Sequence, residues 1–255
     1  MHTSERVKVF WQPGCTSCLR TKEFLTRQGV DYESINVQGN SAGMEELRKL
    51  GARSVPIVSR GERFVYAQTL TDVVEFLDLQ IKLREPLSPA ELVQKLELVL
   101  TAATRYIRQI PDERLALPFR NRNRPIRSLG CHVFRIPEAF LEVVPVGPLS
   151  YERIMAEPAA ASGTGEDIAR YGEGVLARFK QWWAGYADQD CGSEMDTYFG
   201  RHRLHDVLER TVWHPTQHTR QLMLILDDLG IAPDRRLTAD DLAGLPLPEK
   251  AWDAE

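Results

Sequence analysis

Along roughly the first eighty positions the hydrophobic pattern alternates between short apolar runs and helical spacing. VKVFW, beginning at Val7, is β-branched and aromatic and predicts a strand. CLRTKEFLTRQG predicts a helix closed by Gly29, and YESINV a second strand. GMEELRKLG reads as a short helix ending at Gly51. VPIVSRGERFVYA reads as two strands joined at Arg60-Gly61, and TLTDVVEFLDLQIKL as a last helix with Thr71 as cap before Asp72. This alternation predicts a compact α/β unit over residues 1–83.

The pattern then becomes helical. LREPLSPAEL ends in a capping box, with Ser88 as N-cap, Pro89 at the first helical position and Glu91 at the third. Leu92, Leu96, Val99, Ala103, Tyr106 and Ile110 form one apolar stripe, and RSLGCHVFRIPEAFLEVV carries a second helix. Ile168, Tyr171, Val175, Phe179, Trp182 and Tyr186 mark a third. A fourth runs from about Leu204 to Leu229 and stops at Gly230, with Pro233 beyond. Four amphipathic helices predict an all-α up-down four-helix bundle over residues 88–255, its tail PLPEKAWDAE irregular and draped on or trailing from it. The boundary falls between residues 83 and 87, and there is no internal repeat.

Length and charge narrow the class. The 255 residues, 43% hydrophobic and 27% charged, suit two globular domains. A formal net charge of -4 gives no electrostatic reason to expect nucleic acid or an anionic membrane as partner. No apolar run approaches the roughly 20 residues of a membrane span. MHTSERVKVFW lacks the regions of a signal peptide. Four cysteines, two of them the pair Cys15 and Cys18, suit a reducing compartment, so a cytoplasmic location is expected.

Cys15 follows a strand and a Pro-Gly turn and opens a helix, where orphan N–H groups and the positive dipole end favour a thiolate. Cys18, one turn on, is placed to resolve a mixed disulfide. The competing reading, half of a zinc site, finds only His2 as a further ligand in this part of the chain. WQPGCTSC, RSVPIV and TLTDVVEFL together resemble a glutaredoxin-type domain of the thioredoxin fold over residues 5–82. The resemblance implies that Cys15 is the nucleophile, Cys18 the resolving thiol and Val55-Pro56 a cis-proline turn. It also implies that the Val55 backbone bonds a thiol peptide and that Thr71 and Asp72 mark a helix start receiving a carboxylate. Two departures are visible: CTSC stands where common glutaredoxins have CPYC, and Ala67-Gln68 where they have Gly-Gly.

In TVWHPTQHTRQLMLIL, His214 and His218 share a helix face with Val207, Thr211, Leu222 and Ile225. Imidazoles at i, i+4 can give two nitrogens to one ion or be satisfied core histidines. Pro215 removes a helical hydrogen bond there and predicts a kink or local widening. A third ligand must come from another helix. His132, flanked on its face by Leu129 and Ile136, is the best placed. His202 and His205 sit among charged residues and read as solvated, and Cys131 and Cys191 as structural thiols. RPIRSLGCHVFRIPEAFLE followed by TVWHPTQHTRQLMLILDDLG resembles the DinB-like superfamily of four-helix-bundle proteins over residues 88–230. The resemblance implies a divalent metal on His132, His214 and His218. All-imidazole ligation suits zinc first, with nickel, iron and copper as alternatives.

Several DinB-like proteins use mycothiol, bacillithiol or glutathione in transfer or isomerisation, so the resemblance implies a low-molecular-weight thiol as co-substrate. FRNRNRPIRS supplies Arg120, Arg122, Arg124 and Arg127 just before the His132 helix. Arg124 or Arg127 could grip a thiol's carboxylate, the alternative being a solvated basic loop. The expected function is a thiol-dependent S-transferase and oxidoreductase, acting on a small thiol and an electrophilic or disulfide substrate. The alternatives are a disulfide reductase with the bundle as docking module, and a non-catalytic redox- or metal-responsive stress protein. A homodimer is compatible with the sequence, which leaves the oligomeric state, the thiol and the electrophile open.

Overall fold

The computed structural model describes residues 5–144 and 146–253, so His2 lies outside it. The chain divides into two compact units, Met1–Glu85 with Pro248–Glu255, and Pro86–Leu247.

The first unit runs β1 (Val7–Trp11), α1 (Thr16–Arg27), β2 (Tyr32–Asn36), α2 (Ser41–Lys49), β3 (Ile57–Arg60), β4 (Arg63–Tyr66) and α3 (Leu70–Leu77). The sheet order is β2-β1-β3-β4, with β1 parallel to β2 and the other pairs antiparallel. Side chains alternate across a strand, which explains the layering. Val9 and Val58 lie opposite each other and join a core with Phe24, Leu25, Val73 and Leu77. Their neighbours Phe10 and Ile57 join a separate core with Ile35 and Leu47. Helices therefore cover both faces, the expected thioredoxin-like topology. Ile57 pairs with both Phe10 and Tyr66, so the loop after β1, the turn before β3 and the link to α3 all leave one end of the sheet.

Two local expectations change. Thr69, not Thr71, caps α3: its hydroxyl accepts from the Asp72 N–H at 3.2 Å, while Thr71 is exposed within the first turn. The helix stops at Leu77, where Asp78 takes the left-handed conformation at φ 55°. The chain's end also moves. From Pro248 it belongs with the first unit, not with the helical half. The N–H groups of Glu249 and Lys250 donate to the Glu23 carboxylate at 2.6 and 3.1 Å, and Trp252 is buried. Asp253 pairs with Lys22 at 2.9 Å, and the Lys22 ammonium stands 3.6 Å from the centre of the Trp11 ring.

The second unit is built on α4 (Pro89–Gln109), α5 (Ile126–Val143), α6 (Gly165–Gly185) and α7 (Leu204–Asp228). The Ser88–Glu91 capping box forms as expected. The helices do not pack in simple chain order. α4 and α5 each lie against both α6 and α7, so α4 and α5 face each other mainly across a diagonal. Short loops force consecutive helices side by side, but these connections are long enough to cross the bundle's ends. Two of them hold small hairpins absent from the helical reading, Pro118–Phe119 with Arg122–Pro125, and Glu194–Thr197 with Gly200–Arg203. Beyond α7, the backbone tucks against α4: the Tyr106 hydroxyl donates to the Arg235 carbonyl at 3.1 Å and accepts from the Leu237 N–H at 2.9 Å.

α7 is buried on nearly every side, although its middle is polar. Its threonines satisfy themselves locally, their hydroxyls donating one turn back: Thr211 to Val207 at 2.8 Å, Thr216 to Val212 at 2.7 Å and Thr219 to Pro215 at 2.9 Å. The helix runs unbroken through Pro215.

Candidate thiol and metal centres

Cys15 is the N-cap of α1, and its sulfur accepts from the Cys18 N–H at 3.2 Å. The two sulfurs form a disulfide, with Cα atoms 5.2 Å apart. Their settings differ: Cys15 is half-buried and Cys18 fully buried. The same N–H and helix end would favour a thiolate at Cys15 once the pair is reduced. Val55-Pro56 is a cis peptide, and the sheet register puts this turn at the end that carries the cysteine loop. Gln68, one of the two departures from Gly-Gly, ties this end together. Its side-chain oxygen accepts from the Ser17 hydroxyl at 3.0 Å, and its carbonyl accepts from Arg20 at 2.8 Å.

In the second unit α5 and α7 bring the three histidines together. Ligand nitrogens of His132, His214 and His218 all lie within 4.8 Å of one another. The residues are 6%, 8% and 2% exposed. His218 Nδ1 lies 2.7 Å from Gln221 Oε1, which fixes Nδ1 as the donor and leaves Nε2 for an ion. Trp213 stacks on the His214 ring, 5.5 Å between centres. Burial pushes His218 down to about 3, with the Arg124 guanidinium adding and the Gln221 bond opposing. Burial first, then Arg124, also holds His132 well below its ordinary value. Burial thus favours the neutral imidazole at His132 and His218, the form that donates to a metal. A buried, convergent three-nitrogen set fits a divalent ion.

The arginines separate. Arg124 lines a cavity of about 180 Å³ together with His132, Cys131, Ser128 and Glu157, whereas Arg127 does not line it and directs its Nε toward the Leu115 carbonyl. Arg120 pairs with Asp228 at 3.1 Å. Burial brings Arg122 down to about 10. Of the other sequence candidates, His205 is not simply solvated, because its Nε2 lies 2.7 Å from the Leu87 carbonyl. His202 packs against the Phe199 ring, 5.0 Å between centres. Cys131 and Cys191 are buried free thiols, raised by burial to about 12 and about 11. Gln221, Trp213 and Glu157 went unremarked in the sequence. Only Gln221 left a signal, standing one helical turn after a histidine.

These features define a thioredoxin-fold dithiol unit joined to a histidine-bearing four-helix bundle. A glutaredoxin family model matches residues 7–65. The chain is 42% identical over 53 residues to the Gene 56 protein of Mycobacterium phage L5, covering 20% of this chain and 52% of that one. It is 33% identical over 57 residues to the glutaredoxin-like protein NrdH of Escherichia coli, covering 22% and 70%. It is 37% identical over 60 residues to a glutaredoxin of Pseudomonas aeruginosa, covering 23% and 71%. It therefore spans about half the length of the phage relative. Through its first unit the chain belongs to the glutaredoxin family. Among solved structures, the bundle resembles Bacillus subtilis YfiT, described as a probable metal-dependent hydrolase with an unusual four-helix bundle topology. That match has 16% identity and a TM-score of 0.48, covering 60% of this chain and 95% of that one. So distant a likeness carries no argument, and the reading of the bundle rests on its own helices and histidines. Among the described residues no helix is long and apolar enough to cross a membrane.

Proposed function

We propose that the protein is a thiol-dependent enzyme with two centres, a dithiol that exchanges disulfides and a bundle site that activates a small thiol for S-transfer. In the first, the Cys15 thiolate attacks a disulfide, forming a mixed disulfide and expelling one thiolate. Cys18 then attacks the Cys15 sulfur, releases the second thiol and leaves the Cys15–Cys18 disulfide. Two electrons pass to the substrate, and an external thiol reductant restores the pair. The Val55 backbone, and the α3 start at Asp72 and Thr71, would receive the thiol partner.

In the second centre His132, His214 and His218 would hold the divalent ion, zinc first by donor type. Such an ion supplies Lewis acidity that draws the proton from an incoming thiol. Gln221 orients His218, burial keeps His132 and His218 free of competing protons at neutral pH, and Arg124 stands ready for a carboxylate of the thiol. The observation that carries this reading is that His132 belongs both to the triad and to the wall of the cavity that Arg124 lines. The triad therefore adjoins the cavity through His132.

The test compares wild type, His214→Ala and Cys15→Ser for metal content, conjugation of glutathione to a chloronitrobenzene, and disulfide reduction. His214→Ala should lose metal and conjugation but keep disulfide reduction, and Cys15→Ser should do the reverse. Conjugation indifferent to His214→Ala overturns the reading. A second reading, a disulfide reductase whose bundle docks substrate, draws support from the family match, which covers the first unit alone. Reductase activity without any conjugation would favour it.

A further inference from the structure

The cavity beside His132 carries opposite charges on its wall. Arg124 donates from Nη2 to the Ser128 carbonyl at 2.9 Å, and the Ser128 hydroxyl lies 3.3 Å from Glu157 Oε1. Ser128 thus engages both a guanidinium and a carboxylate. Arg135, the other cation on the wall, is taken up by Glu138 at 2.8 Å and Glu142 at 2.6 Å, which leaves Arg124 as the cation for a ligand. A wall with one anion and one cation suits a ligand carrying both charges. The cavity measures about 180 Å³.

We infer that this cavity is a subsite for the α-amino-carboxylate group of a small thiol, its carboxylate on Arg124 and its ammonium on Glu157, with the sulfur directed to the histidine centre. This rests on the thiol-activating reading and specifies its substrate class as an α-amino-acid thiol, free or as the terminal residue of a longer molecule. The polar groups give discrimination, because a ligand lacking either charge forgoes its ion pair with Arg124 or with the exposed Glu157.

The test uses full-length protein loaded with cobalt(II) and follows the change in its visible spectrum as thiol is added. The probes are L-cysteine, cysteamine, which lacks the carboxylate, and 3-mercaptopropionate, which lacks the amine. L-Cysteine should bind about tenfold more tightly than either. In Glu157→Gln its advantage over 3-mercaptopropionate should vanish while that over cysteamine stays, and Arg124→Gln should show the opposite. The ligand series in wild type stands even where a variant folds poorly. Three thiols that bind equally overturn the subsite and leave thiol activation intact. A spectrum that no thiol perturbs overturns thiol activation, and the subsite with it.

Discussion

The two units set their reactive groups in opposite surroundings. The dithiol sits at the leading edge of α1, with Cys15 half-buried and Cys18 fully buried one turn on. The histidines lie inside the bundle, delivered by α5 and α7 from positions far apart in sequence. A dithiol needs only a helix start and a spacing of three, so a short motif assembles it. A three-nitrogen centre needs two helices held in register and a way to bury polar groups without leaving them unpaired. The threonine back-bonds of α7 and the Gln221 contact with His218 meet that need.

The largest effect tests the asymmetry of the cysteine pair. Cys15→Ser should lower disulfide reduction by roughly 10³-fold or more. Cys18→Ser should instead accumulate a mixed disulfide on Cys15, visible as added mass under non-reducing conditions. A Cys18→Ser protein that never holds the adduct, beside a Cys15→Ser protein that does, would reverse the assignment and break the comparison at its simpler end.

Next in size is the clasp made by the chain's end. The Lys22 and Asp253 side chains are 11% and 9% exposed and 2.9 Å apart. Removing one partner strands a buried charge, so Asp253→Ala should destabilise the first unit by about 3 kcal/mol. The Lys22→Met, Asp253→Leu pair should recover most of that loss. Hydrogen exchange of the α1 and β1 amides reads both. A change in Asp253→Ala within about 0.5 kcal/mol would mean that the tail lies on α1 without holding it.

That clasp also marks the limit of what the sequence displays. Local signals were legible: the β-branched run at Val7, the helix-opening Cys15 and the Ser88–Glu91 box, while the cis turn at Pro56 came from the glutaredoxin resemblance. For the histidine triad, His214 and His218 share a face and His132 is flanked by Leu129 and Ile136 on its own, and the DinB-like resemblance joined the three into one ligand set. What stayed hidden depends on distant partners. PLPEKAWDAE has no periodicity, and Asp253 is buried where it pairs with Lys22 of α1. The hairpins have strands of two to four residues, too short for a period-two signal. The order of helices around the bundle follows from long connections that hydrophobic stripes do not describe. The α3 cap was legible but misassigned, because Thr69 stands three residues before Asp72, the spacing of a capping hydroxyl and its N–H, and Thr71 does not.

A smaller effect sharpens the interior centre. Gln221→Ala should keep one metal per chain but weaken its affinity about 10–100-fold, as expected for losing a partner that orients a ligand. Competition with a chromophoric chelator measures it. Unchanged affinity would show that His218 is oriented by packing alone, which would bring the metal centre closer to the dithiol's purely local logic.

The smallest effect concerns charge on the bundle's own wall. Glu142 accepts both terminal nitrogens of Arg135, at 2.6 and 2.8 Å, and Arg153 at 3.1 Å. The Arg135 hydrogen bonds, first among the causes, hold its carboxyl below the ordinary 4.5. A lowered pKa means the unfolded chain binds the proton more readily, so this stability is present above about 4.5 and is lost as pH falls through the folded value. With the side chain 35% exposed, solvent screening limits the contribution to about 0.5 kcal/mol. Denaturation of wild type and Glu142→Gln across this range should show a difference at pH 7 that closes as the carboxylate protonates, while buried histidines affect both proteins alike. A difference that persists unchanged to the acid end would assign the role of Glu142 to hydrogen bonding and shape, not charge, and would leave Arg135 equally occupied at every pH.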